Sequence, residues 1–309
     1  MAKGASGSES DRAADGPPRS LLPNGPTSAP GYPGSGHESP SGPPLNAMAG
    51  VADGGAPPRT VGDAGTWLLL AGGGFVAGQL LSTVILLVVA SINGHSADLS
   101  RLVTEAVPPA WVVVGGLVGL WIGFVGAVVI ASRTRGTRDV VADMGLSFRA
   151  WDPVIGIVAG LVGQFVLVTV LYLPWEHFDP KLSKELQQPA QHLTGGFPGV
   201  DLAVIGVLTV LVVPVVEELF FRGLVLRGFI RLFGGAGPIL GPVLAVTTTG
   251  IVFGLAHGEL LELLGLAAFG ILLSVLAYKF KRLGPSIFAH ATFNLAAILD
   301  IAHQSGAIH

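Results

Sequence analysis

Two adjacent carboxylates, Glu217 and Glu218, lie at the end of an almost unbroken apolar run from Leu202 to Val216. Arg222 follows four residues after Glu218, so on a helix these two share one face, with the acid N-terminal to the base. Glu217 would point about 100° away and lack that partner. Charges in such an apolar setting are costly, which makes a functional site the default interpretation and Glu217 a candidate proton acceptor. The alternative is a structural ion pair that holds two helices together.

Further polar side chains interrupt the apolar segments downstream. His257 ends one such segment, with Phe253 four residues before it, and His290 and Asn294 are also four apart, so a helix puts each pair on one face. A carboxylate base, two imidazoles and an amide are enough to activate a water and to stabilise an oxyanion. Glu217 with the two histidines would also suit zinc, which accepts two His and one Glu plus water. For each histidine taken alone, the alternative to a chemical role is a structural one, in which its imidazole forms a hydrogen bond between two helices.

The composition indicates that membrane helices position these residues. The chain is 50% hydrophobic and 12% charged, with a mean hydropathy of +0.66, whereas a soluble domain carries about 25% charged residues. We therefore expect an integral membrane protein. A net charge of −3 does not point to nucleic acid as a partner, and the lack of cysteine excludes disulfides, thiolate metal sites and a cysteine nucleophile.

The chain divides into a polar tail and a membrane domain. Residues 1–62 are rich in Gly, Pro, Ser and Ala without apolar periodicity, which predicts a disordered cytoplasmic tail. Residues 63–309 form an all-α, polytopic transmembrane helical bundle of about seven spans, each near the ~20 residues that cross a bilayer. We place the spans at about 66–92, 110–132, 153–175, 202–226, 239–257, 260–280 and 284–302.

Small residues within these spans predict close helix packing. Examples are Gly72-Gly73-Gly74 and Gly115-Gly116. Such residues let two helix backbones approach each other within a membrane.

Lysine and arginine in the connections predict the orientation. One set of connections carries nine, namely Arg133, Arg135, Arg138, Arg149, Arg227, Arg231, Lys279, Lys281 and Arg282, and the other set carries three, namely Arg101, Lys181 and Lys184. The first set should be cytoplasmic, together with the N-terminal tail, and seven spans would then put the C-terminus outside. The loop 176–200 should be external, either as a solvated loop or as a cap that gates access.

The three motifs Glu217-Glu218-x-x-x-Arg222, Phe253-x-x-x-His257 and His290-x-x-x-Asn294 resemble the signature of the CPBP family. These intramembrane proteases include type II CAAX prenyl endopeptidases and the bacterial bacteriocin-processing and self-immunity (Abi) proteins. The flanking Arg222-Gly223-Leu224 and Gly284-Pro285-Ser286-Ile287 are also similar to the family. The resemblance covers about 200–300.

The resemblance implies a catalytic role for four residues. Glu217 would be the general base that activates the hydrolytic water, and His257 would help to hold that water or ligate a metal. His290 and Asn294 would face the scissile carbonyl and stabilise the tetrahedral oxyanion.

The remaining motif residues would support the site. Glu218 with Arg222 would orient it, and Phe253 would pack against it. The family is called metalloprotease-like, so a divalent metal such as zinc on Glu217, His257 and His290 is one expectation, and chemistry without a metal is the other.

The function expected from the motifs is that of a CAAX-type intramembrane metalloendopeptidase in a bacterial plasma membrane. Its partners would be membrane lipids and a membrane-anchored or lipidated peptide that enters from the membrane or the cytoplasmic face. One alternative is a membrane protein that acts by binding, such as an immunity factor. A proton-coupled transporter is another, although no internal repeat in the hydropathy supports it.

The predicted depths of the two histidines conflict. His290 lies about four to six residues into the seventh segment from the cytoplasmic side, and His257 lies at the far end of the fifth. At ~1.5 Å per residue, these ends are most of a bilayer apart. We therefore expect either a tilted, partly re-entrant fifth segment or a turn 258–262 that dips into the protein. In that turn, Glu259 and Glu262 would suit a water-filled cavity or serve as extra metal ligands, and a solvated turn is the alternative.

Overall fold

The computed structural model describes residues 61–92, 94, 109–178 and 200–304, and these residues form helices joined by short turns. The predictions for residues 1–60 and for most of the loop 176–200 lie outside the described residues. The all-α architecture is confirmed, and each of the seven predicted apolar segments coincides with a helix in the described part of the chain.

We number the helices in chain order. The first three are α1 (Val61–Ile92), α2 (Ala110–Arg135) and the short α3 (Val140–Met144). Helix α4 is built of Asp152–Val162, a π-helical turn at Gly163–Val168, and Thr169–Phe178. Helix α5 is built of Val200–Val207, π-helical Leu208–Val212, Val213–Glu218, π-helical Leu219–Val225, and Leu226–Leu232. After a 3₁₀ turn at Gly234–Ala236 come α6 (Leu240–Ala256), α7 (Leu263–Phe280) and α8 (Gly284–Gln304).

Within the described residues, five helices are long and apolar enough to cross a membrane: Asp63–Ile92, Ala110–Arg135, Asp152–Trp175, Ala203–Leu232 and Leu263–Phe280. Helix α6 has 17 residues and is shorter than these, and α8 is not among the five. The chain is thus an all-helical membrane protein, and the count of about seven spans stays a prediction for α6 and α8.

Glycines let α1 and α2 pack closely. Only some of the glycines singled out in the sequence lie at this contact. A Cβ at Gly78 would lie 2.9 Å from the backbone oxygen of Leu120, and Gly119 and Gly123 on α2 are blocked in the same way by the backbone of α1. By contrast, a Cβ at Gly72 or Gly73 would meet nothing within 4 Å. The direction of the helix face, rather than the run of glycines, decides which of them must stay small.

Glycines also let each helix that carries a motif histidine pack closely on a neighbour. A Cβ at Gly254 on α6 would lie 2.9 Å from the backbone nitrogen of Ala267 on α7, and one at Gly156 on α4 would lie 2.8 Å from the backbone nitrogen of Ala289 on α8. These contacts join α6 to α7 and α4 to α8.

Polar contacts tie several connections together at one end of the bundle, which we call the arginine end. The buried carboxylate of Asp152 accepts hydrogen bonds from Arg282, with Nε–Oδ2 at 3.0 Å, and the Leu283 N–H donates to the carbonyl of Gly145. These contacts join the connections 133–151 and 281–283. At the last turn of α5, the guanidinium of Arg231 stacks on Trp67 of α1 at 4.0 Å.

An aromatic core leads from α2 to the site. Phe124 stacks on Phe220 with ring centroids 3.9 Å apart, Phe221 lies edge-on to both, and Phe253 lies edge-on to Phe221 at 5.1 Å. All four rings are buried. Apolar packing of this kind excludes water from the side of the site that faces α1 and α2.

Candidate active site

The predicted pair of Glu218 and Arg222 is present and completely buried. Arg222 Nη1 donates to Glu218 Oε1 at 2.7 Å, and both side chains are 0% exposed. Arg222 Nη2 also donates to the backbone carbonyl of Gly270 on α7 at 2.9 Å. The arginine therefore links α5 to α7 as well as neutralising its own carboxylate.

Two π-helical turns enclose the glutamates. The segment Val213–Glu218 follows the π-helical Leu208–Val212 and precedes the π-helical Leu219–Val225. Turns of this type are rare in α-helices and occur often at functional sites, because the wider turn redirects side chains and frees backbone groups. Their positions were not predicted from the sequence.

His290 lies between the two glutamates. Its Nδ1 is 3.1 Å from Glu218 Oε1, and its Nε2 is 3.8 Å from Glu217 Oε2. Because an ionised carboxylate only accepts hydrogen bonds, the proton of the neutral ring is assigned to Nδ1, where it is donated to Glu218. The lone pair of Nε2 then points toward the Glu217 side of the site.

Glu217 presents an oxygen that no protein group uses. Its Oε2 is buried and has no hydrogen-bond partner, while the side chain as a whole is 12% exposed. A water between Glu217 Oε2 and His290 Nε2 could donate one hydrogen to each acceptor. Two acceptors on one water raise the electron density on its oxygen, which is the requirement for a hydrolytic nucleophile.

Aromatic rings fix the orientation of His290. Phe253 and Phe269 lie edge-on to the imidazole, with centroids 5.7 Å and 6.0 Å away, and the Arg222 guanidinium lies 4.4 Å over the Phe253 ring. Phe253 therefore packs on the charged pair and on the histidine at once. The supporting role of Phe253 stays a prediction.

His257 lies beyond Phe253, at the C-terminus of α6. Its ring centroid is 4.7 Å from that of Phe253, and its Nδ1 is 2.8 Å from the Phe253 carbonyl, which leaves Nε2 as an acceptor. The side chain is exposed, in contrast to His290. The Phe253 ring thus lies next to both imidazoles, and it connects residues whose predicted depths conflicted.

Asn294 fills a gap in the backbone hydrogen bonds of α5. In the π-helical turn, the Val213 N–H donates to the carbonyl five residues before it, that of Leu208. In the same register, the Thr209 carbonyl would accept from residue 214, but this is Pro214, which has no N–H. Asn294 Nδ2 donates to that carbonyl at 2.8 Å. One N–H of the amide therefore anchors α8 to α5, and the second remains for another acceptor.

The predicted metal ligands do not converge. In the part of the chain that the structure describes, no three His, Asp or Glu side chains form a group that could hold a metal ion. His290 directs Nδ1 to Glu218 and Nε2 to Glu217, and His257 is across the Phe253 ring. The arrangement does not fit a three-residue zinc site, and we assign no catalytic step to a metal.

The turn after His257 is exposed at its tip. Glu259 is exposed, while partial burial, followed by the charge of Glu259, raises the pKa of Glu262 to about 7. Tyr172 of α4 holds this turn, since its hydroxyl donates to the Leu261 carbonyl at 2.7 Å and accepts from the Gly265 N–H at 3.0 Å. Neither glutamate joins His257 in a metal-binding group within the described residues.

Comparison with known proteins gives one family. Residues 199–296 match the family model described as Type II CAAX prenyl endopeptidase Rce1-like. This is a family of proteases, and the match spans all three motifs, from Glu217 to Asn294. The resemblance drawn from the motifs is confirmed over residues 199–296, which are similar to this family. No curated protein and no solved structure matched the chain.

Several residues of the site were missed at the level of sequence. Gly270 and Thr209 contribute backbone carbonyls, which no side-chain pattern reveals. Phe269 lies in an apolar segment without a distinguishing neighbour. Pro214 was the one available signal, since a proline inside a helical segment removes a backbone donor and frees a carbonyl that a neighbouring side chain can bind.

Proposed function

We propose that the protein is an intramembrane endopeptidase of the CAAX-like type, which hydrolyses a peptide bond with a water activated by Glu217. The proposal rests on the position of Glu217 Oε2. This atom has no hydrogen-bond partner and lies 3.8 Å from His290 Nε2, in a site that aromatic rings shield from bulk water. A mere structural ion pair would need neither the second glutamate nor the histidine facing it.

The proposed reaction begins with a water that donates to Glu217 Oε2 and His290 Nε2. Its oxygen attacks the scissile carbonyl carbon as one proton passes to Glu217, and the carbonyl oxygen becomes the oxyanion of a tetrahedral intermediate. The C–N bond then breaks, and the proton on Glu217 passes to the leaving amine. The products are a carboxylic acid and an amine, and Glu217 is again a carboxylate; the acid then passes its proton to the amine or to solvent, which gives a carboxylate and an ammonium group.

The other motif residues position His290 or bind the reacting groups in this proposal. Glu218 and Arg222 hold His290 through its Nδ1, as a carboxylate does for many functional histidines. Asn294 offers its second N–H to the oxyanion while the first stays on Thr209. His257 lies on the exposed side of the Phe253 ring, where its Nε2 can accept a hydrogen bond.

The substrate class follows from the setting. A site enclosed by membrane helices would act on a membrane-anchored or lipidated peptide, and the chain would reside in a bacterial plasma membrane. The CAAX name denotes the family and not a prenylated substrate.

The test is cleavage of a library of membrane-anchored peptides by the purified protein, with products identified by mass spectrometry. Wild type should cleave at least one peptide, and Glu217→Gln should cleave it about 10²- to 10⁴-fold more slowly, the range for loss of a general base. Glu259→Gln is the matched control, since it removes an exposed carboxylate outside the proposed chemistry. A chelator should leave the rate unchanged. Equal rates for wild type and Glu217→Gln would refute the proposal.

A further inference from the structure

Arg227 is a buried arginine that the proposed catalysis does not use. It lies in Leu226–Leu232, the last segment of α5, and is 7% exposed. Its backbone carbonyl accepts from Arg231 Nη1 at 3.0 Å, but no described residue forms a hydrogen bond or an ion pair with its guanidinium. A guanidinium has five N–H donors and no acceptor, and an arginine is rarely buried unless it is paired. Arg227 therefore lacks an acceptor that its burial requires.

The packing of two glycines shows where Arg227 lies. Gly223 is one turn before it, and a Cβ there would lie 3.0 Å from the Cβ of Met144 on α3. Gly228 is the next residue, and a Cβ there would lie 3.5 Å from the Cβ of Trp67 on α1. Arg227 is thus at the junction of α1, α3 and α5, at the arginine end of the bundle.

The carboxylate of Asp143 does not fill the vacant position. It is near enough for its charge to act on Arg227, but it forms no ion pair with it. Its oxygens are instead used by the connection after α2, since Asp143 Oδ2 accepts from Ser132 Oγ at 2.6 Å and from the Thr137 N–H at 2.9 Å, and Oδ1 accepts from Thr137 Oγ1 at 2.9 Å. The donors of Arg227 are left for another group.

A second buried donor lies at the same junction. Trp67 is 1% exposed, and among the described residues its indole N–H has no hydrogen-bond partner. The Arg231 guanidinium stacks on the Trp67 ring at 4.0 Å, and the carboxylate of Asp63 lies 3.7 Å from Arg231 Nε. Asp63 therefore offsets the charge of Arg231, while Arg227 and the Trp67 N–H both remain open to an acceptor from outside the described residues.

We propose that Arg227 and Trp67 form a binding site for an anionic phosphate group, of the kind that a lipid headgroup carries. Phosphate oxygens accept the paired N–H groups of a guanidinium with good geometry, and arginine is less strongly hydrated than lysine and suits such a buried pair. Basic pockets between membrane helices on the cytoplasmic side bind anionic headgroups, and the arginine end has the basic connections typical of that side.

The surface beside the site favours a lipid over a phosphate ion from solution. Leu69, Val76 and Leu80 of α1 are all more than half exposed, so an apolar surface continues from Trp67 along the helix. Acyl chains can pack on this surface while the headgroup lies at the helix ends. The proposal concerns a second site and does not depend on the proteolytic function.

The test measures the thermal midpoint of the purified full chain in detergent. It is heated with phosphatidylglycerol, with phosphatidylcholine or with inorganic phosphate, and the apparent affinity is taken from the rise of the midpoint with ligand concentration. Phosphatidylglycerol should raise the midpoint of wild type more than phosphatidylcholine does. Arg227→Met should bind phosphatidylglycerol at least about tenfold more weakly, as expected for loss of a hydrogen bond to a charged group. Arg135→Met removes an exposed arginine at the same end and is the matched control, with unchanged affinity.

Trp67→Phe gives a second measurement on the same site. It keeps an aromatic ring for Arg231 and removes the indole N–H, so it should also weaken the affinity for phosphatidylglycerol, and it serves if Arg227→Met does not fold. A rise that only phosphatidylglycerol causes, and that these variants lose, identifies the lipid as the ligand. A rise with inorganic phosphate that the variants also lose supports the phosphate site and identifies a soluble anion as its source. Equal affinities of wild type, Arg227→Met and Trp67→Phe overturn the proposal, as does a wild type that neither ligand stabilises.

Discussion

Replacing Arg222 with methionine should destabilise the protein strongly. The substitution keeps an unbranched side chain of similar length and removes three contacts: the 2.7 Å pair with Glu218, the 2.9 Å hydrogen bond to the Gly270 carbonyl, and the 4.4 Å approach to the Phe253 ring. It leaves a carboxylate at 0% exposure whose neighbours among the described residues are His290 and Ser286.

The expected cost is about 3–5 kcal/mol, the usual result of removing one member of a buried ion pair, because the charge left behind has no water to solvate it. The three contacts are not summed, since they share one side chain and are not independent. The assay is reversible unfolding in mixed micelles, followed by circular dichroism as a denaturing detergent is added.

A double variant separates the charge from the packing. Glu218→Gln combined with Arg222→Met removes both charges, so it should recover part of the loss seen with Arg222→Met alone. Arg135→Met, at the exposed end of α2, is the control and should change stability by less than about 0.5 kcal/mol. A loss below about 1 kcal/mol for Arg222→Met would refute the reasoning that this arginine neutralises the buried site.

Two further predictions concern α5 and the turn 257–262. Asn294→Leu leaves the Thr209 carbonyl without a donor and should cost about 1–3 kcal/mol in the same unfolding assay. Adding Pro214→Ala supplies an N–H to that carbonyl and should recover part of the loss, whereas no recovery would show that Asn294 does not satisfy this carbonyl. The pKa of Glu262 is raised to about 7, so between pH 4.5 and 7 the folded state binds more protons than the unfolded state, and stability should fall as pH rises through this window. Glu262→Gln should flatten that fall in the thermal midpoint, and an unchanged pH profile would contradict the assignment.

The sequence predicted those features that depend on side-chain type and spacing. Apolar segments of about 20 residues identified the helices, and the spacing of four identified the contact of Glu218 with Arg222. The motifs identified the resemblance to the family whose model matches residues 199–296. Each of these is a local pattern, and local patterns survive in the structure because membrane helices must satisfy their backbone internally.

Features that depend on backbone geometry could not be predicted. The π-helical turn Leu208–Val212 shifts the backbone hydrogen bonds of α5 by one residue, and this decides that Asn294 binds the carbonyl of Thr209. The interhelical glycines were identified only as a class, since Gly78 is at the contact and Gly72 is not. The relation of His257 to His290 depends on one aromatic ring, Phe253, whose position comes from the packing of three helices.

The most direct test of the central claim is to measure peptide binding and peptide cleavage separately for wild type and Glu217→Gln. The amide keeps the shape of the carboxyl but cannot take a proton, so we expect unchanged binding of a cleavable membrane-anchored peptide and a single-turnover cleavage rate about 10²- to 10⁴-fold lower. A Glu217→Gln protein that cleaves the peptide at the wild-type rate would contradict the assignment of Glu217 as the base.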